Sequence, residues 1–172
     1  WANEPGMPGV VRVMDPQPLL PRYVTGTAWG VRGNIPGAVY RHKTPDVDVQ
    51  YRINRQGLRA DREYPQAAPT DICRIALIGD SYFVGYEADL EDTIARRLEV
   101  ELDERGVRSE VLNFSVSGFG TAEMLRTWEG QMRAFSPDLV VMQWHVTDLD
   151  DNLRSGLYSV RGGELQRGAD TY

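Results

Sequence analysis

The pattern of apolar and polar positions changes near residue 70. Before it, apolar residues come in short bursts broken by proline and glycine. Residues 10–14 form one burst and predict a short strand. Val47, Val49, Tyr51 and Ile53 alternate with Asp48, Gln50 and Arg52, the period-two pattern of a half-buried strand, and residues 54–57 read as a turn. From Asp71 onward the periods lengthen. Residues 74–78 are a short run, apolar from Ile75 to Ile78 and ending at Gly79, as in a strand buried on both faces. Ile94, Ala95, Leu98 and Leu102 recur at helical spacing, with Asp92 as the expected N-cap and Gly106 as the stop. Residues 110–114 read as a second strand. Thr121 is the expected cap of a second helix, with Met124, Leu125, Trp128, Met132 and Phe135 on its apolar face and Ser136-Pro137 at its end. Glu123 sits in its first turn, where the helix dipole favours negative charge. Residues 139–144 read as a third strand, and residues 157–166, around Gly162-Gly163, as a small hairpin. Strand, helix, strand, helix, strand with short links predicts an α/β fold with a doubly wound parallel sheet. A 2-1-3 strand order would leave the third strand with an open edge, which invites pairing with another chain.

Three segments follow. Residues 1–70 are an extended arm with short strands; it holds nine of the ten prolines and seven glycines, which excludes a mostly helical segment. Residues 71–152 are the α/β core, and residues 153–172 a hairpin-like tail. The arm has too little apolar content for a core of its own, so it must lie against the rest of the chain or a partner. Its charge is +3 against −9 for residues 71–172, which suits docking; Arg52, Arg55, Arg59 and Arg62 are the docking candidates. The net charge of −6 argues against nucleic acid as a partner. The longest apolar runs have four residues, far short of the roughly 20 that a transmembrane helix needs. One cysteine, Cys73, and two histidines, His42 and His145, exclude an internal disulfide and a Cys- or His-rich metal site, so no metal and no cofactor is expected.

In open α/β sheets, ligands bind beyond the carboxyl ends of the strands. Three such ends carry Gly79-Asp80-Ser81, Asn113-Phe114-Ser115-Val116-Ser117-Gly118 and His145-Val146-Thr147-Asp148. A serine just past a buried strand is placed to act as a nucleophile, with its own N–H aimed at a developing oxyanion. A glycine on the neighbouring loop lets a second N–H approach. The run Asp148, Asp150, Asp151 and Asn152 lacks EF-hand spacing and reads as a solvated rim. Trp128 and Trp144 read as core positions, and Cys73 as a core thiol.

The stretch from Ile78-Gly79-Asp80-Ser81 to Glu91-Asp92-Thr93 resembles the first block of the SGNH (GDSL-type) hydrolase family. Val111-Leu112-Asn113-Phe114 through Gly120 is similar to its second block, and Pro137-Asp138-Leu139 through Asn152 to its third. Asn54-Arg55-Gln56-Gly57-Leu58-Arg59 resembles a stretch that precedes the first block in many bacterial members. The resemblance implies a flavodoxin-like three-layer α/β/α fold and hydrolysis or transfer of acyl or acetyl esters, with an ester or acylated glycan as ligand. It implies Ser81 as nucleophile, Gly118 as an oxyanion N–H, Thr147 in place of the usual oxyanion Asn, and Asp80, Asn113 and Asp148 as supporting residues. It also implies a bacterial protein that is exported, periplasmic or membrane-associated.

Two departures stand out. Thr147 replaces a fixed amide donor, and losing one such donor costs roughly 10²–10³ in rate. The Asp and His of the family's last block, about three residues apart, are absent from this chain. His145 is expected on the third strand, pointing into a helix-packing layer. Two readings follow: an ester hydrolase or acyltransferase whose polypeptide continues past Tyr172 to its Asp and His, or a non-catalytic scaffold that docks a protein partner through residues 1–70 and the open sheet edge.

Overall fold

The computed structural model describes residues 23, 24 and 27–168. The strand expected at residues 10–14 lies outside the described residues. Two antiparallel ribbons come first. β1 (Tyr23–Val24) pairs with β2 (Gly33–Asn34), and β3 (Val39–Lys43) with β4 (Asp48–Arg52). The expected alternation is seen in β4, where Val49 and Tyr51 are buried and Asp48, Gln50 and Arg52 exposed. Its partner β3 repeats it through Tyr40 and His42. The Tyr40 and Tyr51 rings stack across the ribbon at 4.9 Å.

The central sheet contains β5 (Cys73–Ile78), β6 (Ser109–Asn113) and β7 (Leu139–Met142), all parallel, in the order β6-β5-β7. Because side chains alternate, β5 feeds two layers. Ile75 and Leu77, with Val111, pack against Ala95, Leu98 and Leu102 of α2 (Ile94–Glu104). Ala76 and Ile78, with Leu112, pack against Ala122 and Met124 of α3 (Thr121–Gly130), and against Leu58, Ala60 and Tyr64 of the arm. This is a three-layer α/β/α arrangement with the arm completing one layer.

Local signals correct several expectations. The N-cap of α2 is Thr93, whose hydroxyl accepts the Arg96 N–H at 3.4 Å; Asp92 belongs to a preceding 3-10 turn. The N-cap of α3 is Gly120 rather than Thr121, and the Glu123 carboxylate folds back to accept the Gly120 N–H at 3.0 Å. That helix stops at Gly130, and Met132–Phe135 is a separate 3-10 turn. β7 is shorter than expected, and Trp144 is 59% exposed, not a core residue. A helix unforeseen in the sequence, α4 (Asp148–Ser155), follows the third strand. Hairpin strands β8 (Tyr158–Arg161) and β9 (Glu164–Arg167) pair as expected.

The arm docks through arginines. Arg59 is buried and spans three backbone carbonyls, those of Val84, Gly85 and Ala88, with its guanidinium 4.0 Å from the Tyr51 ring centre. Arg62 pairs with Glu99 of α2 at 2.6 Å. His42 lies 3.2 Å from Glu87 and 5.0 Å, centre to centre, from the Tyr86 ring.

Candidate active site

The three strand-end loops are laced together by backbone bonds. Beyond β5, the Gly79 carbonyl accepts the Val116 N–H of the second loop at 3.2 Å. The Gln143 N–H of the third loop donates to the Ile78 carbonyl at 2.9 Å, and its side-chain oxygen accepts the Asp80 N–H at 3.0 Å. Glycine is required at position 79, since a Cβ there would lie 2.5 Å from that same Gln143 oxygen and 3.0 Å from the Phe83 Cβ.

Ser81 opens the one-turn helix α1 (Ser81–Val84) and is half-buried. Asp80 caps α1 by accepting the Tyr82 N–H at 2.9 Å, and is itself buried. The far end of α1 is held by Arg59 through the Val84 and Gly85 carbonyls. Asn113 is buried at the end of β6. Its amide donates to the Phe83 carbonyl at 2.7 Å and its oxygen accepts the Ser115 N–H at 3.1 Å, so it ties α1 to the second loop. Gly118 has φ +77°, a left-handed conformation suited to glycine, and its carbonyl accepts from Arg32 of the arm.

The third loop departs from expectation. Thr147 is exposed, and its hydroxyl lies 2.8 Å from His145 Nδ1. The Thr147 N–H also points at Nδ1, at 3.4 Å. That donation requires a lone pair on Nδ1, so the hydroxyl hydrogen is directed to the imidazole. His145 lies beyond the end of β7 and does not enter a helix-packing layer. Its ring sits 5.4 Å from that of Tyr82, the neighbour of Ser81. The physical reason is that the strand ends at Met142, so the alternation that would have turned residue 145 inward no longer applies.

Asp148 is fully buried rather than part of a solvated rim. One carboxylate oxygen accepts the His145 N–H at 3.1 Å; the other has no partner among the described residues. Burial, aided by the nearby Asp80 charge, pushes its pKa up. Asn152 is not a rim residue either: it accepts the Ala122 N–H at 2.9 Å and donates to the Thr121 hydroxyl at 2.7 Å, bracing the start of α3. Among the described residues no group of three or more His, Cys, Asp or Glu is arranged to hold a metal. No described helix is long and apolar enough to cross a membrane.

Ser81, Asp80, Asn113 and Gly118 therefore lie on two loops bonded side by side, with His145, Thr147 and Asp148 on the third. Arg32, Arg59 and Gln143 brace these loops. Arg59 was among the docking candidates in the sequence; nothing in the local pattern marks Arg32 or Gln143, whose partners are 86 and 63 residues distant.

No family model and no curated protein sequence matches the chain. Among solved structures it is similar to TesA at 26% identity and a TM-score of 0.41, over 47% of this chain and 43% of that one. It is similar to AlinE4, an SGNH-hydrolase family esterase, at 28% identity and a TM-score of 0.43, over 51% of this chain and 46% of that one. The chain spans less than half the length of either. With its parallel β6-β5-β7 sheet between helical layers and three strand-end loops meeting past the central strand, the described core has a three-layer α/β/α fold.

Proposed function

We propose that the chain carries the nucleophile and oxyanion half of an acyl-ester site, with Ser81 as nucleophile and the Ser81 and Gly118 N–H groups as oxyanion donors. Among the described residues none is placed as its base. The carrying observation is the state of the histidines. His42, on the arm, is engaged with Glu87, His145 is engaged with Thr147, and among the described residues neither ring is hydrogen-bonded to Ser81. Without a base, a serine hydroxyl is a poor nucleophile near neutral pH. Thr147, whose hydrogen is directed to His145, is a weak substitute for a fixed amide donor. The expectation is that residues 1–172 hydrolyse p-nitrophenyl acetate no faster than the Ser81→Ala variant. Hydrolysis that depends on Ser81 would overturn the claim that the base is missing.

A second reading, a scaffold subunit that binds a protein partner at the sheet edge, is favoured by β7. Parallel strands are ordinarily covered on both faces. Here Leu139 is 51% and Met142 55% exposed. Leu139→Glu with Met142→Lys would then abolish co-purification of the partner without lowering the stability of the isolated chain. Unchanged co-purification would remove this reading.

A further inference from the structure

A cavity of about 220 Å³ lies between the arm and the second loop, lined by Trp29 and Arg32 on one side and by Phe114, Val116, Phe119 and Thr127 on the other. Ser81 does not line it, so it is separate from the candidate active site. Among its lining residues, the Thr127 hydroxyl and the Trp29 indole N–H have no hydrogen-bond partner among the described residues. Thr127 is only 2% exposed. A buried hydroxyl left unpaired costs about 1–3 kcal/mol, and within a helix such a group ordinarily turns back to the preceding carbonyls. Here both groups belong to the wall of one space. The indole N–H can only donate, and the hydroxyl can donate as well. They call for an acceptor oxygen.

We propose that this cavity binds a compact, neutral, mostly apolar molecule bearing one carbonyl, such as an aryl ketone, ester or amide, whose oxygen accepts from Thr127 and Trp29. The size agrees: an apolar cavity of about 150 Å³ holds a benzene ring, so the larger space admits a ring and a short polar substituent. The walls agree too, because Phe114, Val116 and Phe119 offer apolar surface, while the Arg32 guanidinium is bonded to the Gly118 carbonyl. Since the loop from Val116 to Phe119 also carries Gly118, an occupant would brace the loop from its far side.

The test uses acetophenone and its acceptor-free analogue ethylbenzene as probes, titrated into the full chain while the Trp29 indole N–H resonance is followed by NMR. Acetophenone should shift that resonance downfield in a saturable manner and bind about ten- to hundredfold more tightly than ethylbenzene, the worth of two net hydrogen bonds. Thr127→Val keeps the shape, leaves the indole N–H as donor and should cut that preference about three- to tenfold, whereas Thr127→Ser should retain it. Absence of saturable binding by either probe, equal affinity for both in the parent chain, or a preference undiminished in Thr127→Val would overturn the proposal.

Discussion

Arg59 links the arm to the segment that carries Ser81, and its removal should be felt there first. The side chain is 2% exposed. It donates to the Val84 carbonyl at 2.7 Å and to the Gly85 and Ala88 carbonyls, while covering the Tyr51 ring at 4.0 Å. Burial lowers its pKa from the ordinary arginine value, offset by nearby tyrosines and Asp89. Arg59→Ala leaves the buried Val84 carbonyl without its donor, at about 1–3 kcal/mol, while the Gly85 carbonyl keeps the Ala88 N–H. It also removes a cation–π contact worth about 1–2 kcal/mol. Relief of the guanidinium's own desolvation offsets part of this. The net expectation is a loss of about 2–3 kcal/mol, or about 4–12 °C in Tm for a domain of this size. Urea unfolding measures the total. Hydrogen exchange locates it: the Tyr86 and Ala88 amides, bonded to Ser81 and Gly85 carbonyls, should open faster, while those of β5 should change only with global stability. Arg59→Lys should recover less than half, because an ammonium cannot span three carbonyls. The exposed Arg52→Ala is the control and should shift stability by no more than about 0.5 kcal/mol. A loss under about 1 kcal/mol in Arg59→Ala, or one equal to that of the control, would refute the clamp.

Two further outcomes follow from the same geometry. Burial raises the carboxyls of Glu123 and Asp148 above their ordinary values. Each therefore binds its proton more readily folded than unfolded, so this part of the stability falls as pH rises from about 4 through the raised folded values. Glu123→Gln and Asp148→Asn should each flatten that limb in a pH series of urea melts, and a steeper limb would contradict the assignment. Gly118→Ala forces a left-handed residue and brings a Cβ to 2.8 Å from an Arg32 nitrogen; a destabilisation of about 1–2 kcal/mol is expected by urea melt, and no change would mean the turn relaxes freely.

The sheet was legible in the sequence because its strands obey the simplest rule. Ile75 to Ile78 are apolar without interruption, and they are covered on both sides. The ribbon strand β4 was legible through its alternation. What was missed depends on contacts rather than on period. Leu149 and Leu153 of α4 are 58% and 83% exposed, so this helix has no buried apolar stripe for a periodicity argument to find. Asp148 sits in an acidic run that looks solvated, yet it is buried beneath the third loop. Trp144 looks like core but follows a strand whose outer edge is uncovered. That the loops carrying Gly79, Asn113 and Gly118 meet was legible from the strand-end rule and the family resemblance, not from local pattern, because long-range register leaves no local trace.

The most direct test is covalent. A fluorophosphonate probe should modify the native protein at one site, found by peptide mass spectrometry on Ser81 and lost in Ser81→Ala, while that substitution leaves the urea midpoint unchanged. A native protein that stays unmodified, or that is modified elsewhere with Ser81 intact, would contradict the account of Ser81 as the nucleophile.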